Sequence, residues 1–252
     1  MDLGIKGKRA VVTGGTSGLG LASAEALARE GADLVLFARS RQRLDEVGQD
    51  LQARFGVAVE GVAGDITRKQ DVQALAAAVA ARGGADILVP NVPRPPQPMR
   101  EFLAEDDDDK WQRAYQDQLH GGLLVLRLLT PLLLGKGWGR VVAITSASVK
   151  QPMARHAMST IFRAGLHAAL KHLANEVASQ GVTVNAVAPA TIVTPTFGQH
   201  HNLEARVQAV PLKRPGTTEE LGAVVAFLAS RQAGFITGQV VQLDGGQTLS
   251  LL

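Results

Sequence analysis

The sequence contains no cysteine, which excludes a disulfide framework, a thiolate metal centre and a cysteine nucleophile. Aromatic residues occupy only 4% of the 252 positions. The core must therefore be built from small and branched aliphatic side chains, a mixture suited to helices packed closely on a parallel sheet. No excess of one charge exists either: 26 Lys and Arg face 23 Asp and Glu, a net charge of +3. That surplus is too small and too scattered to predict a nucleic-acid partner. The most apolar run, Leu123–Leu134, contains Arg127 and Pro131 and is far shorter than the roughly 20 residues of a membrane span. Residues 1–15 also lack the apolar segment of a signal peptide. The expectation is a soluble, cytoplasmic protein with no membrane partner.

What is present is order-forming. Hydrophobic residues make up 46% and charged residues 19%, which excludes general disorder. Short β-branched runs alternate with Ala- and Leu-rich stretches of helical period. Strands are predicted at Ala10–Thr13, Asp33–Ala38, Val57–Val62, Asp86–Val89, Arg140–Thr145, Thr183–Ala188 and Val240–Leu243. Most are apolar on both faces, as strands covered by helices on either side should be. Helices are predicted near 18–30, 41–55, 68–82, 106–136, 157–180 and 217–230. This alternation predicts one α/β domain over 1–252: a doubly wound, Rossmann-type fold with a seven-stranded, mostly parallel sheet and helices on both faces.

Two segments break the rhythm. Residues 90–98 hold five of the 11 prolines, which predicts a stiff, extended loop. Residues 190–216 lack a strong strand, and a long connection there suggests a substrate lid. The acidic run Glu105–Asp109 is read as the start of a helix, where carboxylates cap free N–H groups and complement the dipole. His200 and His201 have no identifiable third ligand, so no metal is expected.

Residues 13–20 read TGGTSGLG, directly after the first strand and at the opening of the first helix. Gly14, Gly18 and Gly20 permit a tight turn and close approach of backbone to a pyrophosphate, which the helix N-terminus then favours. With Asp65 in GDIT, DILV at 86–89, Asn91, Ser146, VTVNAVAPATIVTP at 182–195 and ITGQVVQLDGG at 236–246, the chain resembles the short-chain dehydrogenase/reductases almost end to end. The resemblance implies a nicotinamide dinucleotide held by Gly14, Thr16, Ser17, Gly18, Leu19, Gly20, Asp65, Ile66, Asn91, Arg163, Pro189, Ile192 and Thr194. Asp65 would contact adenine, and the backbone near Ile192 and Thr194 the nicotinamide amide. The second strand ends in FARSRQR, with no carboxylate before Asp45. An acidic residue there would favour NAD. Arg39, with Ser40 or Arg41, suits a 2′-phosphate instead, so NADP(H) is favoured over NAD(H).

The catalytic pattern implied by the resemblance is Asn, Ser, Tyr and Lys, and only the serine is kept, as Ser146. The tyrosine position is Ser159, the lysine position Arg163 and the asparagine position Gln118. Ser-x-x-x-Arg in place of Tyr-x-x-x-Lys resembles an atypical, ketoacyl-reductase-like branch of the family. A guanidinium supplies charge and hydrogen bonds but stays protonated. Other proton sources are Lys150, in a loop four residues after Ser146, His156, just before the helix carrying Ser159, and Tyr115. Each also has a plain structural reading. The catalytic set is therefore Ser146, Ser159, Arg163, Gln118 and Lys150. The function expected is an NADP(H)-dependent oxidoreductase acting on a ketone or secondary alcohol, including a 3-oxoacyl-type substrate. The alternatives are a silent nucleotide-binding subunit or a dehydratase or isomerase on the same scaffold. The Leu-rich stretches 106–136 and 157–180 predict a homodimer or homotetramer.

Overall fold

A computed structural model describes residues 2–195, 197 and 202–251. His200 and His201 lie outside the described residues. The seven predicted strands are present as β1 (Arg9–Thr13), β2 (Asp33–Ala38), β3 (Val59–Ala63), β4 (Ile87–Val89), β5 (Gly139–Ile144), β6 (Val182–Pro189) and β7 (Val240–Leu243). They form one sheet in the order β3-β2-β1-β4-β5-β6-β7, with every pairing parallel. Consecutive side chains point to opposite faces, so each strand feeds two cores. Val11, Leu88 and Val141 enter one core with Leu124, Leu129 and Leu166. Ala10, Val12, Ile87 and Val142 enter the other with Leu27, Leu44 and Leu221.

Helices α1 (Gly18–Arg29), α2 (Arg41–Phe55) and α8 (Thr218–Leu228) cover the second face, while α3 (Lys69–Ala80), α5 (Gly121–Leu129) and α6 (Ala157–Val177) cover the first. Local chemistry fixes their ends. The Ser40 side chain caps α2 by accepting from the Arg43 N–H, and Gly56 closes it in the left-handed region. Thr217 and Glu220 form a reciprocal capping box at α8. Arg214 and the Thr217 N–H pull the Glu220 carboxyl down to about 2.

The predicted helix 106–136 is divided. It begins as α4 (Asp108–Ala114), capped by the Asp107 side chain, passes through a π-helical turn at Tyr115–His120, and resumes as α5. Pro131 then turns Thr130–Leu133 into a 3₁₀ segment. Gly121 and Gly122 allow close packing just after the π turn: a Cβ on Gly122 would stand 3.0 Å from Leu166. The 190–216 connection holds a short helix, α7 (Leu203–Gln208), that the residue pattern does not announce. It is tied down where the Val193 N–H donates to the Gly216 carbonyl and the Gly216 N–H donates to that of Thr191. Among the described residues, no helix is long and apolar enough to cross a membrane.

A candidate cofactor and catalytic cleft

Strand β1 connects leftward to β2, while β4 lies on its other side. This is the point where connections to successive strands diverge, and a crevice opens there beyond the carboxyl ends. The crevice is a cavity of about 710 Å³. Its floor is the turn after β1: Gly14, Thr16, Ser17, Gly18 and Leu19 all line it. Gly14 and Gly18 have φ of +61° and +52°, which a side chain would strain. Gly20 lies behind the lining, where an added Cβ would run into the Gly14 carbonyl. Ser17, the N-cap of α1, makes no side-chain cap bond, so the first-turn N–H groups remain available to an anion. The opposite wall is locked to β1 by a reciprocal pair. The Asn91 N–H donates to Thr13 Oγ1 at 2.8 Å, and Thr13 Oγ1 donates to the Asn91 carbonyl at 3.0 Å.

One end of the cleft carries Arg39, Ser40, Asp65, Ile66 and Asp117. Burial pushes the Asp65 carboxyl up, but the Thr67 N–H and hydroxyl, with Arg39 and Arg68, hold it below its ordinary value overall. Asp117 moves the opposite way, raised by burial and by the charge of Asp65 against the pull of Arg39. Arg39 is thus the cation shared by this end. Arg41 faces elsewhere, donating to the Gly61 carbonyl at 2.8 Å and pairing with Asp45. The residues present fit a dinucleotide: a glycine cradle, uncapped N–H groups, and a guanidinium at the end of β2.

The other end brings together Ser146, Ser159, Arg163, Asn91, Pro189, Ile192 and Thr194. Arg163 Nη1 donates to Ser159 Oγ at 3.1 Å, one helical turn away, and Nη2 donates to the Pro93 carbonyl at 3.4 Å. Burial and the neighbouring Arg94 lower the Arg163 guanidinium to about 10, so it remains a cation at neutral pH. Because Ser159 Oγ accepts from Arg163, its own proton is free to be donated. Ser146 Oγ lies 3.0 Å from Ser148 Oγ.

Two members of the expected catalytic set sit apart. Lys150 follows the 3₁₀ turn Ala147–Val149, which carries its side chain into solvent and off the cleft wall. Gln118 is fully buried in the π turn, away from the cleft lining, and neither amide atom has a protein partner. Tyr115, the sole tyrosine, packs its ring against Phe162 and His120. No phenol therefore lines the cleft.

His156 does line it. Its Nδ1 lies 2.8 Å from the Ala154 carbonyl and its Nε2 3.2 Å from Arg206 Nη2. Nδ1 therefore carries the proton and Nε2 accepts from the guanidinium. Burial, aided by Arg206, Arg163 and Arg155, lowers its basicity and keeps the ring neutral. Arg94 and Arg206 also line the cleft, and sequence reasoning missed both. Arg94 was hidden in the proline-rich loop and Arg206 in α7. His167, one turn after Arg163, was missed as well, although the i, i+4 spacing was a usable signal. Its Nε2 is 2.7 Å from Thr145 Oγ1, whose proton goes to the Val187 carbonyl, so His167 is the donor. Burial, with Arg163 and Lys150, lowers its pKa to about 4. Among the described residues, no three His, Asp or Glu side chains converge as metal ligands.

A family model described as enoyl-(acyl carrier protein) reductase matches residues 14–248. The chain is 31% identical over 252 residues to 2,3-dihydroxy-2,3-dihydro-p-cumate dehydrogenase of Pseudomonas putida, covering 98% of this chain and 96% of the relative. It is also 31% identical to the 3-oxoacyl-[acyl-carrier-protein] reductase of Aquifex aeolicus, covering 98% and 99%. The crystal structure of L-sorbose reductase from Gluconobacter frateurii, complexed with NADPH and L-sorbose, superposes with a TM-score of 0.92. It is 34% identical, with each chain covered in full.

Proposed function

The chain belongs to the short-chain dehydrogenase/reductase family of oxidoreductases, and on that premise we propose that it reduces a ketone with NADPH, or oxidises the corresponding secondary alcohol. The observation that carries this reading is the single cleft that joins the glycine turn and Arg39 to Ser146, Ser159 and Arg163. Arg39 binds the 2′-phosphate, the turn and the α1 N-terminus bind the pyrophosphate, and Asp65 with Ile66 borders the adenine. The bound nicotinamide supplies or accepts the hydride at the carbonyl carbon. Ser146 and Ser159 donate hydrogen bonds to the carbonyl oxygen. Arg163, through its bond to Ser159 Oγ, orients that hydroxyl and stabilises negative charge developing on the oxygen. With no phenol in the cleft, the Ser159 hydroxyl is the proton donor nearest the permanent cation. From the connection after β6, Ile192, Thr194, Pro195 and, on α7, Arg206 border the substrate end of the cleft. Steady-state NADPH oxidation against a panel of ketones tests the reading, and no consumption with any of them would refute it.

The absent phenol also favours a second reading, a nucleotide-binding subunit without turnover. NADPH binding without oxidation would support it.

Cofactor choice is a separate prediction. NADPH is expected to bind several-fold tighter than NADH, and Arg39→Ala is expected to narrow the gap. Arg39 makes no ion pair among the described residues, leaving its guanidinium open to a phosphate. A titration giving equal affinities for wild type would contradict the assignment.

We also propose that the protein assembles as a homodimer or homotetramer. Leu124, Leu126 and Leu129 are consumed by the chain's own core, but Leu123 and Leu128 stay only half-buried, and Ile161 on α6 is exposed. Phe235, Leu249 and Leu251 are also exposed. Light scattering is expected to give two or four times the 26.5 kDa chain mass. A monomer at micromolar concentration would contradict this.

A further inference from the structure

The catalytic end of the cleft has an unusual charge balance. Arg94, from the loop after β4, Arg163, from α6, and Arg206, from α7, all line it. Among the described residues, none of the three has a carboxylate within 4.0 Å. The two acids on the cleft wall, Asp65 and Asp117, belong to the Arg39 end. The arginines are satisfied only by neutral groups. Arg94 Nη2 donates to Thr194 Oγ1 at 3.2 Å, Arg206 Nη2 to His156 Nε2 at 3.2 Å, and Arg163 to Ser159 and the Pro93 carbonyl. Burial lowers all three, and repulsion adds to it at Arg163, which feels Arg94, and at Arg206, which feels Arg155 and Arg94. Permanent cations gathered on a partly dehydrated wall without a counter-ion repel one another and focus a positive potential into the cavity. Such an arrangement is stabilised when an anion enters.

Arg163 is already committed to Ser159, which leaves two guanidinium groups with donors to spare. They come from two separate segments of the chain, and His156 holds one of them in place. Neither belongs to the glycine turn or to the end of β2, where the cofactor's phosphates are placed. We propose that Arg94 and Arg206 form a receptor for an anionic group on the substrate, a carboxylate or a phosphate carried close to the reacting carbonyl. A planar guanidinium suits either oxyanion. The inference rests on the oxidoreductase reading only in assigning the ligand as the substrate; anion binding itself does not depend on turnover.

The test uses matched pairs that differ in charge: acetoacetate against methyl acetoacetate, and dihydroxyacetone phosphate against dihydroxyacetone. Each is titrated by calorimetry into the protein saturated with NADPH. At least one anion is expected to bind about tenfold or more tightly than its neutral partner. Which anion binds tells carboxylate from phosphate. Arg206→Gln and Arg94→Gln should each remove most of that preference, while Arg206→Gln leaves the NADPH affinity within about twofold. Equal binding of acid and neutral partner would overturn the proposal. So would no binding of either anion at millimolar concentration, a preference that survives both substitutions, or competition of the anions with NADPH. NADPH oxidation followed on the same pairs separates the two claims. Selective anion binding without oxidation of NADPH supports the receptor and sinks the oxidoreductase reading. Oxidation with the neutral ketones and no anion preference does the reverse.

Discussion

Arg163→Ala is expected to lower turnover by about 10²–10³-fold, the usual cost of removing one preorganised donor from the site of developing oxyanion charge. Among the described residues, the guanidinium is the only group that hydrogen-bonds the Ser159 hydroxyl, and a second bond to the Pro93 carbonyl fixes its plane. Without it, Ser159 Oγ loses both its orientation and the neighbouring positive charge. Folding should respond far less. Burial and Arg94 disfavour the charged form of Arg163, so removing that charge offsets part of what alanine loses in packing and in the bonds to Ser159 and Pro93, and the unfolding temperature should shift little. A rate that collapses while the unfolding midpoint holds is the signature of a functional rather than a structural residue. Arg163→Lys should fall between wild type and alanine, because it keeps a charge but cannot bridge Ser159 and Pro93 with a planar fork. Steady-state NADPH oxidation with thermal unfolding of the three proteins decides the matter, and unchanged rates in Arg163→Ala would remove the residue from the mechanism.

The parts of this site that were legible in the sequence are those whose position is set locally. A strand followed by TGGTSGLG places its glycines at the head of a helix whatever else the chain does, and the 13-residue step from Ser146 to Ser159 fixes the register of Arg163. The strands were legible for a similar reason: both faces are covered, so apolar runs such as VVAI at 141–144 need no alternation to be recognised. What escaped detection depends on long-range convergence. Arg94 and Arg206 are more than a hundred positions apart, and nothing near either announces that the two meet at one wall. The π turn at Tyr115–His120 is equally silent, since a one-residue expansion of a helix leaves its apolar pattern nearly intact. That turn decides where Gln118 points. Position 118 was legible as a matching site in the chain, but its burial away from the cleft was not. Lys150 shows the same limit, since spacing from Ser146 put it near the site but a 3₁₀ turn directs it to solvent.

Restoring the pattern of the relatives, by Ser159→Tyr together with Arg163→Lys, is expected to abolish the native activity rather than raise it. If the chain were a family member that had simply lost its acid, the double change would return a phenol and its partner cation, and general acid catalysis would add about 10²–10⁴-fold. Three features of the site argue against that gain. The family's asparagine position is Gln118, whose amide lies in the core and does not line the cleft, so a lysine ammonium would lack the amide at that position to continue a proton relay. Ser159 is 2% exposed, so a phenol built there is expected to crowd the side chain at position 163 and the Pro93 loop, at the cost usual for overpacking a close-packed site. The permanent charge at position 163 is also retained in a wall that already holds Arg94 and Arg206. A decaying site has no reason to keep a half-buried guanidinium that desolvation and Arg94 both disfavour, whereas a site using that charge does. NADPH oxidation by wild type and the double variant on one ketone panel, with NADPH affinity measured alongside, separates the two cases. Loss of turnover with the cofactor still bound supports Ser159 and Arg163 as a working arrangement of their own. A new or faster reduction in the double variant would show that the cleft had been waiting for its tyrosine.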